Sequence, residues 1–266
     1  MKNILVPVGA SETATATLQY AIDLAKTFDA YVYVISVFKE LSKVGNFTKV
    51  NAILREESET HLKTLIDAVD KKGVPVIAHP IKGDMLETIT RFNKHVPVDL
   101  MVLAPQNNTI RDEVYLGKTT GKLLKQTNIP ILIVPEDITF TPPQKILMAF
   151  KNGTFKQKKT LEPLQAIQNA FSTDIDVLHV ETPDTTDEML KVSSKLKSIS
   201  HSYTQTQNAT TYQAVLEHFQ KFEPDMLCVV RRKRGFFKLL LEKNEIYKKE
   251  FYTSKPLLVL QVQEVD

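Results

Sequence analysis

The residues best placed to hold a ligand are four consecutive ones, Gly117, Lys118, Thr119 and Thr120, at the predicted start of a helix. The first backbone N–H groups of a helix have no partner within it, and the helix dipole adds partial positive charge there. A glycine lets an anion come close to those groups. The run therefore predicts a phosphate-binding site, and the alternative interpretation is a helix cap retained from a binding ancestor.

Two short apolar runs flank this helix. Leu100–Ala104 precedes it and Ile131–Val134 follows it, and neither run contains a charged residue. Such runs are typical of parallel strands that are covered on both faces. The order strand, open loop, helix and second strand is a ligand-site layout of α/β sheets.

A repeat carries the same layout into the second half of the chain. An offset of 126 positions relates Asp99 to Asp225 and Pro130 to Pro256, so that PDMLCVV and KPLLVL repeat VDLMVLA and IPILIV. A repeat of this length predicts two similar domains in tandem.

The first strands of the two copies also correspond. KILMAF at Lys145–Phe150 restates NILVPV at Asn3–Val8 with an offset of 142. Because the offset falls to 126 by the fourth strand, the second copy is shorter than the first in the region of its second helix. We therefore predict domain 1 at residues 1–136, a linker at 137–144 that contains Pro142-Pro143, and domain 2 at 145–266. Each domain is expected to be α/β, with a five-stranded parallel sheet, right-handed crossovers and flanking helices.

Hydrophobic periodicity predicts the other elements of the two copies. The first helix is expected to use Ser11 as its N-cap, and a long helix is expected from Val50 to Val69. The further strands are predicted at Tyr31–Val37, Val74–Ala78, Ile175–Val180, Tyr203–Thr206, Met226–Val230 and Leu257–Leu260, and further helices after Gly83, around Met189–Ile199, around Tyr212–Phe222 and before the last strand.

Composition and charge exclude several classes of function. The chain has 266 residues, 34 basic and 31 acidic side chains and a net charge of +3, which gives no global attraction to nucleic acid or to an anionic membrane. No apolar run is long enough to span a bilayer, and the first strand leaves no room for a signal peptide, so a cytoplasmic protein is expected. Cys228 is the single cysteine, lies in an apolar run and is expected to be a buried thiol.

Motifs of catalysis and metal binding are absent from the sequence. The six histidines are scattered without an HExxH pattern, and His61 and His218 are interpreted as ordinary helix positions, so no metal site is predicted. A P-loop would need a glycine at position 112, which is Asp112. Because GxSxG does not occur either, an enzyme is not the favoured interpretation.

The segments ILVPVGASETATATLQYAIDLA, DLMVLA, LGKTT and PILIVP together resemble the universal stress protein family, in its tandem two-domain form. The resemblance implies a Rossmann-like (adenine nucleotide alpha hydrolase-like) fold and a site between the end of strand one and the loop after strand four, where many members bind ATP. ATP is therefore the candidate cofactor. The candidate nucleotide-binding residues are Pro7, Val8, Gly9, Ala10, Ser11, Val37, Ala104, Pro105, Gln106, Gly117, Lys118, Thr119 and Thr120.

This chain departs from the family's ATP-binding signature at several positions. ATP-binding members carry an acidic residue just after strand one, where the two copies have Gly9 and Lys151. The loop 105–116 lacks the early glycines of the signature, although Gly117 matches its late glycine; in the second copy the equivalent of Gly117 is Lys243. The resemblance therefore implies a degenerate nucleotide site in domain 1 and no ordinary site in domain 2.

The second copy offers a different candidate for anion binding. Arg231, Arg232, Lys233 and Arg234 follow its fourth strand, and such cations can hold a phosphate through their side chains. The alternative is a solvated charged loop. Neither a nucleic acid nor a membrane is predicted as a partner; the resemblance implies that the copies pair within the chain through their closing strands, and a homodimer stays open.

Three functions follow from these observations. The leading hypothesis is a cytoplasmic stress-response protein that acts as a binding or regulatory module, with a degenerate nucleotide site in domain 1. The second is a genuine ATP-binding member with slow hydrolysis, and the third is a carrier of another small ligand.

Overall fold

The computed structural model describes residues 1–9, 13–38, 48–105, 117–155, 158–231 and 255–262. Its first half alternates strands and helices: β1 (Asn3–Val8), α1 (Ala14–Phe28), β2 (Tyr31–Phe38), α2 (Thr48–Asp67), β3 (Val76–Lys82), α3 (Met85–His95), β4 (Leu100–Leu103), α4 (Gly117–Gln126) and β5 (Ile131–Ile133).

The second half repeats this order. It contains β6 (Lys145–Phe150), a 3₁₀ turn (Lys158–Leu161), α5 (Glu162–Phe171), β7 (Asp174–Glu181), α6 (Ser194–Ile199), β8 (Ser202–Gln207), α7 (Thr211–Phe222), β9 (Met226–Arg231) and β10 (Leu257–Gln261). The helix predicted before the last strand lies outside the described residues. None of the helices in the described ranges is long and apolar enough to cross a membrane.

All ten strands form one sheet, in the order β3-β2-β1-β4-β5-β10-β9-β6-β7-β8. The strands within each half are parallel, which confirms the predicted α/β fold class. The two halves meet through an antiparallel pair in which Leu132 of β5 lies opposite Leu258 of β10. The prediction that the copies pack through their closing strands is therefore confirmed.

Helices cover both faces of the sheet, which explains why its central strands are apolar throughout. Along β1, Ile4 and Val6 enter one core with α1, α2 and α5, whereas Leu5 enters the other core with α3, α4 and α7. Successive side chains of a strand point to opposite faces, so a strand covered on both faces needs apolar residues at every position.

An aspartate ties the first strand of each half to the start of its fourth strand. Asp99 Oδ2 accepts hydrogen bonds from the backbone N–H groups of Lys2 (2.5 Å) and Asn3 (3.0 Å). Asp225 Oδ2 accepts the same pair of bonds from Gln144 (2.8 Å) and Lys145 (3.0 Å). The sequence repeat is thus reproduced as the same hydrogen-bond clamp in both halves.

Strand β3 differs from its prediction. It was expected at Val74–Ala78 but lies at Val76–Lys82 and continues through Pro80. A proline removes one ladder hydrogen bond, which an edge strand tolerates, and β3 is an edge strand of the sheet.

Two helix starts also differ from prediction. Helix α1 begins at Ala14, with Thr13 rather than the expected Ser11 as its N-cap; Ser11 lies outside the described residues. Helix α6 begins only at Ser194, because the segment before it is hydrogen-bonded to Gly153, whose N–H donates to Met189 O and whose carbonyl accepts from Ser193 N. As predicted from the offsets, the second helix is much shorter in the second half, with 6 residues in α6 against 20 in α2.

The pairing of β5 with β10 predicts a large effect of substitution at Leu258, whose side chain is fully buried. We expect Leu258→Ala to lower the free energy of unfolding by about 3 kcal/mol, because it removes buried methyl groups and leaves a cavity. Denaturant unfolding measures this. Ile53→Ala, at a position 53% exposed on α2, is the control and is expected to change the value by less than about 0.5 kcal/mol; equal effects of the two would contradict the assignment of β10 to the core.

Candidate functional site

A cavity of about 120 Å³ lies in the first half, where the carboxyl ends of β1 and β4 face the starts of α1 and α4. Ligands of open α/β sheets bind at this end of the strands. The described residues that line the cavity are Pro7, Val8, Gly9, Thr13, Ala14, Thr17, Met85, Leu103, Ala104, Thr119, Thr120 and Leu123.

The described lining of this cavity carries no charged side chain, and its polar groups are mostly threonine hydroxyls. Two of them are bound to the backbone: Thr17 Oγ1 donates to Thr13 O at 3.0 Å, and Thr120 Oγ1 donates to Ala104 O at 3.2 Å. Thr119 is exposed on the wall and is the third residue of α4, within the first turn, whose N–H groups have no partner in the helix. The cavity therefore presents hydroxyl and backbone groups to a ligand.

An ion pair beside the cavity joins the start of α3 to the middle of α4. The Asp84 carboxylate caps α3 by accepting from Leu86 N at 2.9 Å, and Lys122 Nζ of α4 lies 3.1 Å from Asp84 Oδ2. The hydrogen bond from Lys122 and those from the backbone hold the pKa of Asp84 below its usual value. The Asp84 carboxylate is thus already paired.

Gly9 occupies the position that follows β1, and the space around it is open. A Cβ atom built on Gly9 would meet no atom of the described residues within 4 Å. Its carbonyl oxygen lies 3.1 Å from His61 Nε2 of α2, which fits a donated hydrogen bond. In the sequence His61 has the pattern of an ordinary helix position. Because it lies 52 residues from Gly9, no local motif predicts this contact.

The equivalent position in the second half is closed by an ion pair. Lys151 Nζ binds the carboxylate of Asp184, which follows β7. The hydrogen bonds from Lys151 and Thr182 lower the pKa of Asp184 to about 2. The Lys151 cation is therefore neutralised within the protein, so that it is a poor receptor for a phosphate.

Close backbone packing also fills the region after β6 in the second half. A Cβ atom on Gly153 would lie 2.8 Å from Lys191 O and 3.1 Å from Val192 Cα. Because real Cβ atoms essentially never approach within 3.0 Å, only glycine fits here without a shift of the neighbouring backbone. The carboxyl edge is thus open at Gly9 and packed at Gly153.

His179 of β7 lies behind Lys151 and is fully buried. Its Nε2 is 3.1 Å from Lys151 O, to which it must donate, and its Nδ1 is 2.7 Å from Tyr203 Oη, from which it then accepts. The neutral ring satisfies both contacts, and burial favours it because it lowers the pKa of His179 below its ordinary value.

The structure brings together six of the predicted nucleotide-binding residues, Pro7, Val8, Gly9, Ala104, Thr119 and Thr120, on the wall of one cavity. Val37 instead packs against the hydrophobic core, and Pro105 is buried next to Ala104. Gly117 and Lys118 open α4 as predicted. Ala10, Ser11, Gln106 and the side chain of Lys118 lie outside the described residues.

Of the predicted anion-binding run, only Arg231 falls in the described part of the chain; Arg232, Lys233 and Arg234 do not. The Arg231 guanidinium donates to Thr127 O at 3.1 Å and to Gln261 Oε1 at 3.0 Å. Because these hydrogen bonds go to oxygens of the protein, fewer N–H donors of the guanidinium remain for an anion.

A larger cavity of about 430 Å³ lies between the halves, and its lining includes Pro97, Asn128, Lys159 and Gln261. It contains none of the predicted site residues. We assign the site to the smaller cavity because strand ends and helix starts converge there. Among the described residues, no group of three or more histidine, cysteine, aspartate or glutamate side chains is arranged to hold a metal ion.

Comparison with known proteins matches residues 1–135 to the model of the universal stress protein family. A universal stress protein of Methanocaldococcus jannaschii is 28% identical over 138 residues, which are 50% of this chain and 81% of that protein. The crystal structure of a universal stress protein from Archaeoglobus fulgidus is 15% identical, covers 98% of both chains and superposes with a TM-score of 0.73. A protein of unknown function from Pseudomonas aeruginosa is 14% identical, with 98% of this chain and 92% of that one covered and a TM-score of 0.55. At these low identities, the two structural similarities show the fold alone.

The buried, neutral His179 predicts a pH-dependent stability. Because its pKa is lower in the folded chain, the unfolded chain binds the proton more readily, so this contribution is complete above the ordinary histidine pKa of about 6.5 and is lost as the pH falls. We expect the free energy of unfolding to decrease from about pH 7.5 to about pH 5, and to decrease less in His179→Gln, whose Nε2 can still donate to Lys151 O.

Urea unfolding at several pH values measures this slope. The control is His95→Gln, at an exposed position at the end of α3, which should keep the slope of the parent. An unchanged slope in His179→Gln would show that another group causes the pH dependence.

Proposed function

Because the chain belongs to the universal stress protein family, we propose that it is a stress-response binding or regulatory protein whose first half holds a degenerate nucleotide site. The observation that carries this proposal is the cavity at the ends of β1 and β4, which has no acidic side chain among its described lining residues. In ATP-binding members that the sequence resembles, an acidic residue stands at the position of Gly9.

The size of the cavity supports a ligand smaller than a whole nucleotide. Clefts that enclose small molecules of drug size usually measure about 300–1,000 Å³. The cavity here measures about 120 Å³, which suits one phosphate-sized group. Thr119 and the first N–H groups of α4 are the groups that would bind such an anion.

The contrast between the halves supports the first half as the location. The position after β1 is open at Gly9, whereas the position after β6 is occupied by the ion pair of Lys151 with Asp184. An incoming phosphate in the second half would have to compete with the Asp184 carboxylate for the same cation.

A genuine ATP site is the second candidate, and one observation favours it. Gly117 retains the last glycine of the family signature at the first residue of α4. If the backbone of α4 alone binds the phosphates, ATP can bind without the missing carboxylate.

Isothermal titration calorimetry with ATP and with inorganic phosphate separates these candidates. We expect no saturable binding of ATP below millimolar concentration and weak binding of phosphate. Gly117→Val should abolish the phosphate signal, because a branched side chain at the start of α4 blocks close approach to its N–H groups. Tight, saturable ATP binding would establish the second candidate, and unchanged phosphate affinity in the variant would reduce Gly117 to a helix cap.

Gly9→Asp tests whether the missing carboxylate is what makes the site degenerate. A side chain fits at this position without a close contact, so the fold should be retained. We expect the variant to gain ATP affinity by about tenfold or more, equivalent to about 1.4 kcal/mol, if the carboxylate recovers a hydrogen bond to the ligand. Gly9→Asn is the matched control of equal size without the charge; an equal gain in both variants would assign the effect to shape.

A further inference from the structure

Arg231 reaches from the second half of the chain into the first. It is the last residue of β9, and its Nη1 donates to Thr127 O at 3.1 Å while its Nη2 donates to Lys125 O. Lys125 lies in the last turn of α4 in the first half, and Thr127 is the first residue after that helix. Nη1 also donates to Gln261 Oε1 at 3.0 Å, which anchors the guanidinium at the end of β10.

These contacts satisfy a specific need of helix α4. The last carbonyls of a helix have no N–H partner within it, and the negative end of the helix dipole lies there. The planar fork of an arginine donates to two such oxygens in a fixed geometry, whereas a lysine ammonium is a compact charge on a flexible stem. Arg231 therefore caps the end of α4 from the other half of the chain.

The other end of the same helix forms the candidate site. Thr119 and Thr120 line the cavity at the ends of β1 and β4, and Thr120 is buried against Ala104. Helix α4 has 10 residues and so a length of about 15 Å. A hydrogen-bonded helix of this length moves largely as one body, so its two ends shift together.

We propose that Arg231 is a positioning residue through which the second half sets helix α4 and hence the cavity of the first half. The statement about ligand affinity rests on the function proposed above, whereas the statement about the helix position does not. The second half then acts on the site without contributing a residue to its lining.

The test compares Arg231→Met, which keeps an unbranched stem but removes the donors, with Arg231→Lys, which keeps the charge and one donor group. Arg91→Met, at an exposed position of α3, is the control. The first readout is the backbone amide chemical shifts of Thr119 and Thr120 in the full chain without ligand. We expect both to move in Arg231→Met, to move less in Arg231→Lys and to stay unchanged in the control.

The second readout is the affinity for inorganic phosphate, which we expect to weaken about threefold to tenfold in Arg231→Met and less in Arg231→Lys. Shifts confined to residues 123–129 in both variants would overturn the proposal and leave Arg231 as a local cap. If Arg231→Met does not fold, the Arg231→Lys spectrum decides by the same criterion. Shifts at Thr119 and Thr120 in a protein whose parent form binds no phosphate would support the positioning role and refute the proposed ligand.

Discussion

The antiparallel pairing of β5 with β10 is the constraint on which the rest of the molecule depends. It joins two parallel sheets into one and reverses the strand direction at their junction. The carboxyl ends of the strands, where an α/β sheet binds its ligands, consequently lie on opposite edges in the two halves. The end of β9 is thereby brought beside the end of α4, so that the contact of Arg231 with Lys125 and Thr127 follows from the direction of the pairing.

The two halves share a framework but differ at the carboxyl ends of their strands. The carboxylates of Asp99 and Asp225 make equivalent hydrogen bonds, so the backbone frame is repeated closely. At the carboxyl ends of the strands, however, the first half is open at Gly9, whereas in the second half Lys151 binds Asp184 and Gly153 is packed against the segment before α6. The framework is set by local hydrogen bonds and core packing, whereas the openness of the edge depends on a few side chains in loops.

The sequence predicted the framework well because the strands are buried on both faces and the repeat fixes their order. Its errors have physical causes: β3 continues beyond Ala78 through Pro80, which an edge strand tolerates, and the segment before Ser194 looked helical but is hydrogen-bonded to Gly153. The site was predicted only in part. The contact of His61 with Gly9 and the reach of Arg231 to α4 join residues far apart in sequence, and neither has a local pattern that reveals it.

The joining of β5 to β10 within one chain also has a consequence for how the two copies can change. In a symmetric homodimer every substitution appears twice, and the interface must be complementary to itself. Here Leu132 faces Leu258, which are encoded separately, and the covalent link makes their association independent of protein concentration. A substitution in one copy is therefore not imposed on the other: one copy can close its carboxyl edge and shorten its second helix while the other keeps both.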